Sequence, residues 1–237
     1  MRFSSAIVLS SAALGYALDA KCAPGGNFDL TKFTLQEPVG EDKHPKQVGG
    51  DKLKGCKGYS DEWFKTDSND GTMVMKVPES SKCVTTQNSK HCRSELRENG
   101  SWSPSASANR LFAEVQVTKN EGEICVGQIH VDDSVSHKPV AELYLSHTGD
   151  LNFGVQECAT NDCTQKREPA GKVGANSKFT YEIRYEHGNL SVSINGANFK
   201  QFSTHKLNNP KSYFKAGNYN QGTKASEVHF SQLRITH

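Results

Sequence analysis

Apolar and polar residues alternate with a period of two along most of the chain from about residue 27, and Gly, Asn, Asp and Pro interrupt the alternation at short intervals. Successive side chains of a β-strand point to opposite faces, so this period is typical of half-buried strands. The i, i+3, i+4, i+7 spacing of an amphipathic helix is not sustained over a helix length in the sequence. The pattern predicts an all-β fold.

Two hairpins and a last strand illustrate the pattern. Residues 179–185 alternate, the turn His187-Gly188-Asn189 follows, and residues 190–194 alternate again, which is a hairpin signature. A second hairpin is predicted around residues 147–150, and a last strand near Val228 to Ile235. Many short antiparallel strands, with no linker and no repeat, predict a single β-jelly-roll sandwich of two antiparallel sheets over residues 21–237.

The first residues have the order of a secretory signal. Arg2 is followed by an apolar stretch from Ala6 to Leu14 and by small residues up to Ala17. We expect a signal at residues 1–17, with cleavage after Ala20 as the alternative. The apolar stretch is shorter than the roughly 18 residues of a transmembrane helix, so we expect a secreted, extracellular protein that is not bound to a membrane.

The seven cysteines suit an oxidising exterior. No CxxC pair or finger-spaced histidine accompanies them, so no metal site is expected. Cys125 remains as a buried free thiol, expected on the core face of its strand with Ile129 and Val131. Two sequons permit N-glycosylation at Asn99 and Asn189. The spacings suggest three disulfides: Cys22 with Cys56, Cys83 with Cys92, and Cys158 with Cys163.

The charges are nearly balanced, with 28 Lys and Arg against 26 Asp and Glu, a formal net charge of +2. Loss of the signal removes Arg2 and leaves 27 against 26, which is +1. This balance excludes a polybasic nucleic-acid arm as the main function. A hydrophobic fraction of 35% allows a packed but lean core.

Three predicted strands carry long polar side chains at every second position. They are RSELRE at residues 93–98, QIH at 128–130 and YFKAGNYNQ at 213–221. Each segment alone is compatible with a solvated outer face, but together they predict a cationic groove if the three strands are neighbours. Gly217 lies on the same face, where a side chain would block whatever occupies it. The polar positions are Arg93, Glu95, Arg97, Gln128, His130, Tyr213, Lys215, Tyr219 and Gln221.

The chemistry of such a groove favours an acidic ligand. Arg and Lys suit carboxylates or sulfates, and His and Tyr are proton-transfer groups. Glycoside hydrolysis needs two carboxyl groups, and these faces offer only Glu95. GxSxG, HExxH and GxxxxGK patterns do not occur in the sequence. The set is suited to β-elimination from a uronic acid.

At these motifs the sequence resembles the alginate lyases of polysaccharide lyase family 7. The family's blocks R(S/T)EL/VR, Q(I/V)H and YFKAGxYxQ occur in order and match in full, and FDLTKFTLQ at residues 28–36 resembles the start of its catalytic domain. The resemblance implies a β-jelly roll with a concave substrate groove, no cofactor, and an acidic polysaccharide, alginate, as partner. We expect a monomer that binds no nucleic acid. The high cysteine content and the short segment between the last two blocks differ from the commoner bacterial members.

The resemblance also implies residue roles. Arg93 and Gln128 would neutralise the substrate carboxylate, and Tyr219 would give a proton to the leaving oxygen and act as the base for mannuronate. His130 would be the base for guluronate, and Ile129 within QIH favours guluronate-containing blocks. Nearby positive charges are expected to favour the Tyr219 phenolate. Binding or orienting roles fall to Glu95, Arg97, Tyr213, Lys215 and Gln221.

An endo-acting alginate lyase is thus expected. Two alternatives remain at this point: a lyase on another polyuronate such as glucuronan, and a non-catalytic lectin on the same fold.

Overall fold

The computed structural model describes residues 17–160 and 162–237. Within these residues the chain forms fifteen strands, two helices of one turn each, α1 (Pro24–Asn27) and α2 (Gly50–Leu53), and a 3₁₀ turn at Ser80–Lys82. The strands are β1 (Phe33–Glu41), β2 (His44–Gly49), β3 (Phe64–Thr66), β4 (Met73–Val77), β5 (Cys92–Glu98), β6 (Arg110–Lys119), β7 (Glu123–Val131), β8 (Pro139–Ser146), β9 (Asp150–Gln156), β10 (Gln165–Lys172), β11 (Lys178–Glu186), β12 (Asn189–Ile194), β13 (Lys200–Phe202), β14 (Ser212–Asn220) and β15 (Ser226–Thr236).

The strands form two sheets that enclose one hydrophobic core. The first sheet has the order β10-β9-β8-β7-β14-β5-β1-β2, and the second has the order β13-β12-β11-β6-β15-β4-β3. Neighbouring strands are antiparallel in both. The apolar halves of the alternating strands meet between the sheets, which removes their side chains from water. The prediction of an all-β sandwich of two antiparallel sheets is confirmed.

Both predicted hairpins are present. Glu186 pairs with Asn189 across a two-residue turn, in which His187 and Gly188 have φ values of 49° and 75°. Positive φ at both turn residues matches the right-handed twist of the flanking strands. Residues 147–149 join β8 to β9, and β15 contains the predicted last strand.

The sheet that carries the three polar segments is tied to the opposite sheet by buried polar contacts. Asn218 of β14 donates to the Met75 carbonyl oxygen at 3.1 Å and accepts from Ser226 at 2.9 Å. The Tyr181 hydroxyl donates to the Val126 carbonyl oxygen at 2.7 Å. These bonds satisfy buried polar groups and fix β14 and β7 against the layer below.

The start of the described chain packs onto the fold. Leu18 is partly buried against the core, and the Asp19 backbone N–H donates to Asn27 Oδ1 at 2.8 Å. The predicted signal falls almost wholly within residues 1–16, outside the described residues.

All three suggested disulfides are formed. The Cα–Cα distances are 4.2 Å for Cys22–Cys56, 6.2 Å for Cys83–Cys92 and 5.6 Å for Cys158–Cys163. The sequon residues Asn99 and Asn189 are both exposed.

Cys125 is free and buried, as expected, but the prediction that it faces the core is wrong. It pairs with Tyr144 and Tyr219, which line the polar face of the sheet, and directly paired residues share a face. The register shifts between Cys125 and Gly127. Because of this bulge, odd-numbered side chains point to the groove before it and to the core after it. The alternation in the sequence does not show this change.

Candidate active site

The three polar segments lie side by side in the middle of the first sheet. They form β5, β14 and β7, with β14 between the other two. Their alternating side chains therefore share one face, as the groove prediction requires. This face lines a groove of about 380 Å³. It contains all the predicted positions: Arg93, Glu95, Arg97, Gln128, His130, Tyr213, Lys215, Tyr219 and Gln221.

Gly217 is needed for a different reason from the one expected. A Cβ at this position would lie 2.5 Å from the Ser94 carbonyl oxygen and 2.6 Å from the Cα of Glu95. The obstacle is thus the neighbouring strand β5. The absence of a side chain lets β5 and β14 approach closely at the point where Glu95 enters the groove floor.

Glu95 is the centre of a buried cluster. Its Oε2 lies 3.1 Å from Arg93 Nη1 and 3.7 Å from Lys215 Nζ, and its Oε1 accepts from Gln128 Nε2 at 2.5 Å. All four side chains are buried. A buried charge is tolerated when it is paired and hydrogen-bonded, so the Glu95 carboxylate holds the three donors around one point.

Tyr219 lies at one end of this cluster. The Arg93 guanidinium stacks on its ring at 3.8 Å from the centroid, and its hydroxyl is 3.0 Å from Ser89 Oγ. Burial raises the pKa of Tyr219, and this effect exceeds the lowering by Arg93. The charge of Arg93 favours the phenolate, as expected, but burial outweighs it because desolvation disfavours the charged form. Tyr219 is a protonated phenol at neutral pH.

His130 lies at the other end, next to Tyr213. Burial lowers the pKa of His130 well below its usual value, and the charge of Lys215 lowers it further. Its Nδ1 is 3.0 Å from the Val131 carbonyl oxygen and 3.0 Å from the Tyr213 hydroxyl. The imidazole is neutral at pH 7, and its Nδ1 contacts leave Nε2 as the nitrogen available to take a proton.

Arg97 and Lys215 add positive charge along the groove. Arg97 pairs with Asp133 at 2.6 Å and stacks on the Tyr213 ring at 4.3 Å from the centroid. Burial lowers the pKa of Lys215 to about 8, although Glu95 opposes that shift. Gln221 donates to the Tyr219 carbonyl oxygen at 3.1 Å, so its side chain contacts the strand that carries Tyr219.

Residues 17–160 and 162–237 contain no cluster of three or more His, Cys, Asp or Glu side chains placed to hold a metal ion. In the same residues, no helix has the length and apolar character needed to cross a membrane.

The sequence profile of a family described as "Alginate lyase" matches residues 28–237, which include the whole groove. The chain belongs to the alginate lyase family. A curated alginate lyase of Klebsiella pneumoniae is 24% identical over 91% of each chain. The solved family 7 alginate lyase A1-II′, in a complex with product, aligns with a TM-score of 0.78 at 26% identity over 91% of this chain and 99% of its own. An alginate lyase from Corynebacterium sp. has the same fold, with a TM-score of 0.75 at 22% identity over 92% of this chain and 99% of its own.

Membership of the alginate lyase family makes the protein a polysaccharide lyase. It also confirms the jelly-roll fold expected from the sequence.

This alginate lyase family member has groove residues that the sequence analysis missed. Asp133 and Glu142 also line the groove, so the interpretation of Glu95 as its sole carboxylate is wrong. Glu142 is buried and accepts from Tyr144 and from Gln165, both at 2.6 Å. Burial raises its pKa. The segment AELYL at residues 141–145 has polar residues two positions apart, Glu142 and Tyr144, as the three predicted segments do. Asp133 lies in a loop, where side chains do not alternate between two faces.

Proposed function

We propose that the protein cleaves the 1,4-glycosidic bonds of alginate by β-elimination, acts within the chain, and prefers guluronate-containing blocks. One observation carries this proposal. A neutral imidazole, His130, and a protonated phenol, Tyr219, lie on one groove face, with Gln128 and Glu95 between them in the strand register. Along the strand direction, a base is thus followed by a carboxylate-binding site and then by an acid.

The carboxylate of the substrate is bound by the donors that surround Glu95. Arg93 and Gln128 are held by Glu95, so they are already oriented when the sugar arrives. Negative charge spreads onto the substrate carboxylate when the proton on the neighbouring carbon leaves. Fixed donors aimed at developing charge are worth a few kcal/mol each, and they lower the barrier to this proton transfer.

Elimination then needs one base and one acid. His130 Nε2 takes the proton from the carbon next to the carboxylate, and the electron pair of that C–H bond forms the double bond of the product. The bond from the ring to the glycosidic oxygen breaks, and Tyr219 gives its hydroxyl proton to the leaving oxygen. Before the next turnover, His130 loses its proton to water and the Tyr219 phenolate takes a proton from water.

The preference for guluronate is supported by the same two groups. For mannuronate, Tyr219 would have to act as the base, but its raised pKa disfavours the phenolate. For guluronate, His130 is already in its basic form. The resemblance to family 7 supports the same preference, because Ile129 is the residue of the QIH block that favours guluronate. The similar A1-II′ structures were solved with product GGG and with substrate GGMG.

Action within the chain is supported by the length of the groove face. One row of paired groove residues crosses five strands, from Thr34 through Gln128 to Glu142. At about 4.8 Å per strand, the row is about 19 Å long. A site of this length holds several sugar units on both sides of the cleaved bond.

A substrate panel with product sizing tests the proposal. Purified polyguluronate, polymannuronate and glucuronan are each followed by the ultraviolet absorbance of the unsaturated product. We expect the fastest gain on polyguluronate, with oligosaccharides as early products. Fastest turnover of glucuronan would establish a different polyuronate as the substrate. Binding without any gain in absorbance would establish a lectin.

We also propose export, with cleavage after Ala17 and a monomeric mature protein. The three disulfides suit an oxidising exterior. Leu18 packs on the core, and cleavage after Ala20 would remove it. The intact mass of the secreted protein and its mass in solution test these points.

A further inference from the structure

The segment that follows β7 brings a carboxylate behind His130. Asp133 Oδ1 accepts from the Tyr213 hydroxyl at 2.9 Å, and that hydroxyl is 3.0 Å from His130 Nδ1. The rings of Tyr213 and His130 are stacked, with centroids 5.1 Å apart. Asp133, Tyr213 and His130 therefore form one continuous chain of hydrogen-bonding groups.

The direction of these hydrogen bonds follows from which group carries a proton. An ionised carboxylate only accepts, so the contact with Asp133 uses the single proton of the Tyr213 hydroxyl. Burial and the Asp133 charge both raise the pKa of Tyr213, and the proton stays on the phenol. The Tyr213 oxygen is then an acceptor toward His130, which requires the proton of the neutral imidazole to be on Nδ1.

We propose that Asp133 is a positioning residue which acts through Tyr213 to hold His130 with its proton on Nδ1 and its lone pair on Nε2. This inference rests on the proposed role of His130 as the base for guluronate. The Val131 carbonyl oxygen at 3.0 Å favours the same tautomer. Without Asp133, the Tyr213 hydroxyl is free to donate to Nδ1, which places the proton on Nε2 and blocks the base.

Asp133 has a second effect through charge. It pairs with Arg97 at 2.6 Å, and Arg97 is one of the cations that lower the pKa of His130. Loss of Asp133 leaves Arg97 unpaired and lowers the pKa of His130 further. The charged and titratable groups that share the groove with His130 are Arg93, Glu95, Arg97, Asp133, His137, Lys138, Glu142, Tyr144, Tyr213, Lys215 and Tyr219.

Two variants break the chain at different points. Asp133→Asn keeps the side-chain shape but removes the charge, and Tyr213→Phe keeps the stacked ring but removes the hydroxyl. We expect Asp133→Asn to lower kcat on polyguluronate about tenfold, or about 1.4 kcal/mol. Tyr213→Phe should lower it less, because no hydroxyl remains to donate to Nδ1 and the Val131 carbonyl oxygen still favours the proton there. The double variant should have the kcat of Tyr213→Phe, because the hydroxyl that would misplace the proton is absent from both.

The matched control is Asp132→Asn. Asp132 is the adjacent carboxylate, and its Oδ1 accepts from the Ser134 backbone and hydroxyl. It produces the same change in net charge in the same segment, and we expect kcat within about twofold of wild type.

Two readouts separate positioning from a structural effect. The acid limb of kcat on polyguluronate should move to lower pH in Asp133→Asn, because the pKa of His130 falls. The ¹⁵N shifts of the His130 ring should show a protonated Nδ1 in the wild type and a larger share of protonated Nε2 in the variant. A normal kcat with a lower KM would overturn the inference, because Asp133 would then only pair with Arg97 and keep it from the substrate. An unchanged tautomer would also overturn it.

His130→Asn distinguishes this inference from the proposed function. If it leaves cleavage of polyguluronate intact, the proposed base is wrong. If it abolishes cleavage while Asp133→Asn retains wild-type kcat, the base is correct and only the inferred role of Asp133 fails.

Discussion

Burial moves three titratable groups of the groove toward their neutral forms. It lowers the pKa values of His130 and Lys215 and raises that of Tyr219. The guanidinium groups of Arg93 and Arg97 keep their charge, while His130 and Tyr219, the proposed base and acid, are neutral. The desolvation that makes charges costly thus leaves the proposed base and the proposed acid each in the protonation state that its role requires.

The pKa of Lys215, about 8, predicts an alkaline limit. Lys215 loses its charge as the pH rises through this value, which weakens the attraction for a polyuronate. We expect kcat/KM to fall above pH about 8, since this ratio reports the free enzyme. Lys215→Arg should move the limit upward, whereas Lys211→Arg, an exposed control, should not. An unchanged limit in Lys215→Arg would contradict the assignment.

The hydroxyl of Tyr219 should be needed for turnover and not for binding. Tyr219→Phe retains the ring under the Arg93 guanidinium but removes the proton donor. We expect kcat to fall about 10²- to 10⁴-fold, with oligosaccharide affinity within a few fold by calorimetry. Tyr185→Phe, which removes a phenol outside the groove lining, is the control. A near-normal rate in Tyr219→Phe would exclude it as the acid.

At the scale of elements, the close approach of β5 and β14 is set by Gly217. A Cβ there would contact Glu95 and the Ser94 carbonyl oxygen inside 3 Å, so one strand has to move. We expect Gly217→Ala to reduce the free energy of unfolding by about 1–3 kcal/mol and to reduce kcat, because Glu95 shifts.

Gly49→Ala is the matched control, since a Cβ at Gly49 meets nothing within 4 Å. Denaturant unfolding of the two variants provides the comparison. Equal stability would mean that the strands accommodate the methyl group without cost.

The strands themselves were predictable, but their faces were only partly so. The alternation of polar and apolar residues identifies β5, β7 and β14. It also shows on which face of its strand Arg93 or Lys215 lies. The bulge between Cys125 and Gly127 changes that phase without a signal in the residue types. Asp133 comes from a loop, and no period extends to loops. The pKa of Tyr219 depends on burial by neighbouring strands, which a list of nearby charges omits.

At the scale of the whole molecule, the groove depends on strands that are far apart in the chain. β14 begins at Ser212 and inserts between β5, which ends at Glu98, and β7, which ends at Val131. The proposed base, His130, and the proposed acid, Tyr219, therefore do not share a sheet until the last part of the sequence has been made. A partly synthesised chain has no site, and long-range pairing of this kind is slow to form.

Catalysis should consequently be among the last properties acquired during folding. In refolding from denaturant with the disulfides intact, we expect activity to return together with, or after, the fluorescence change of Trp102, whose ring packs 4.6 Å from that of Phe214 on β14. Activity that returned before this signal would contradict the expectation. An enzyme built in this way gives no product from an unfinished copy of itself, so the appearance of unsaturated sugar reports completed molecules.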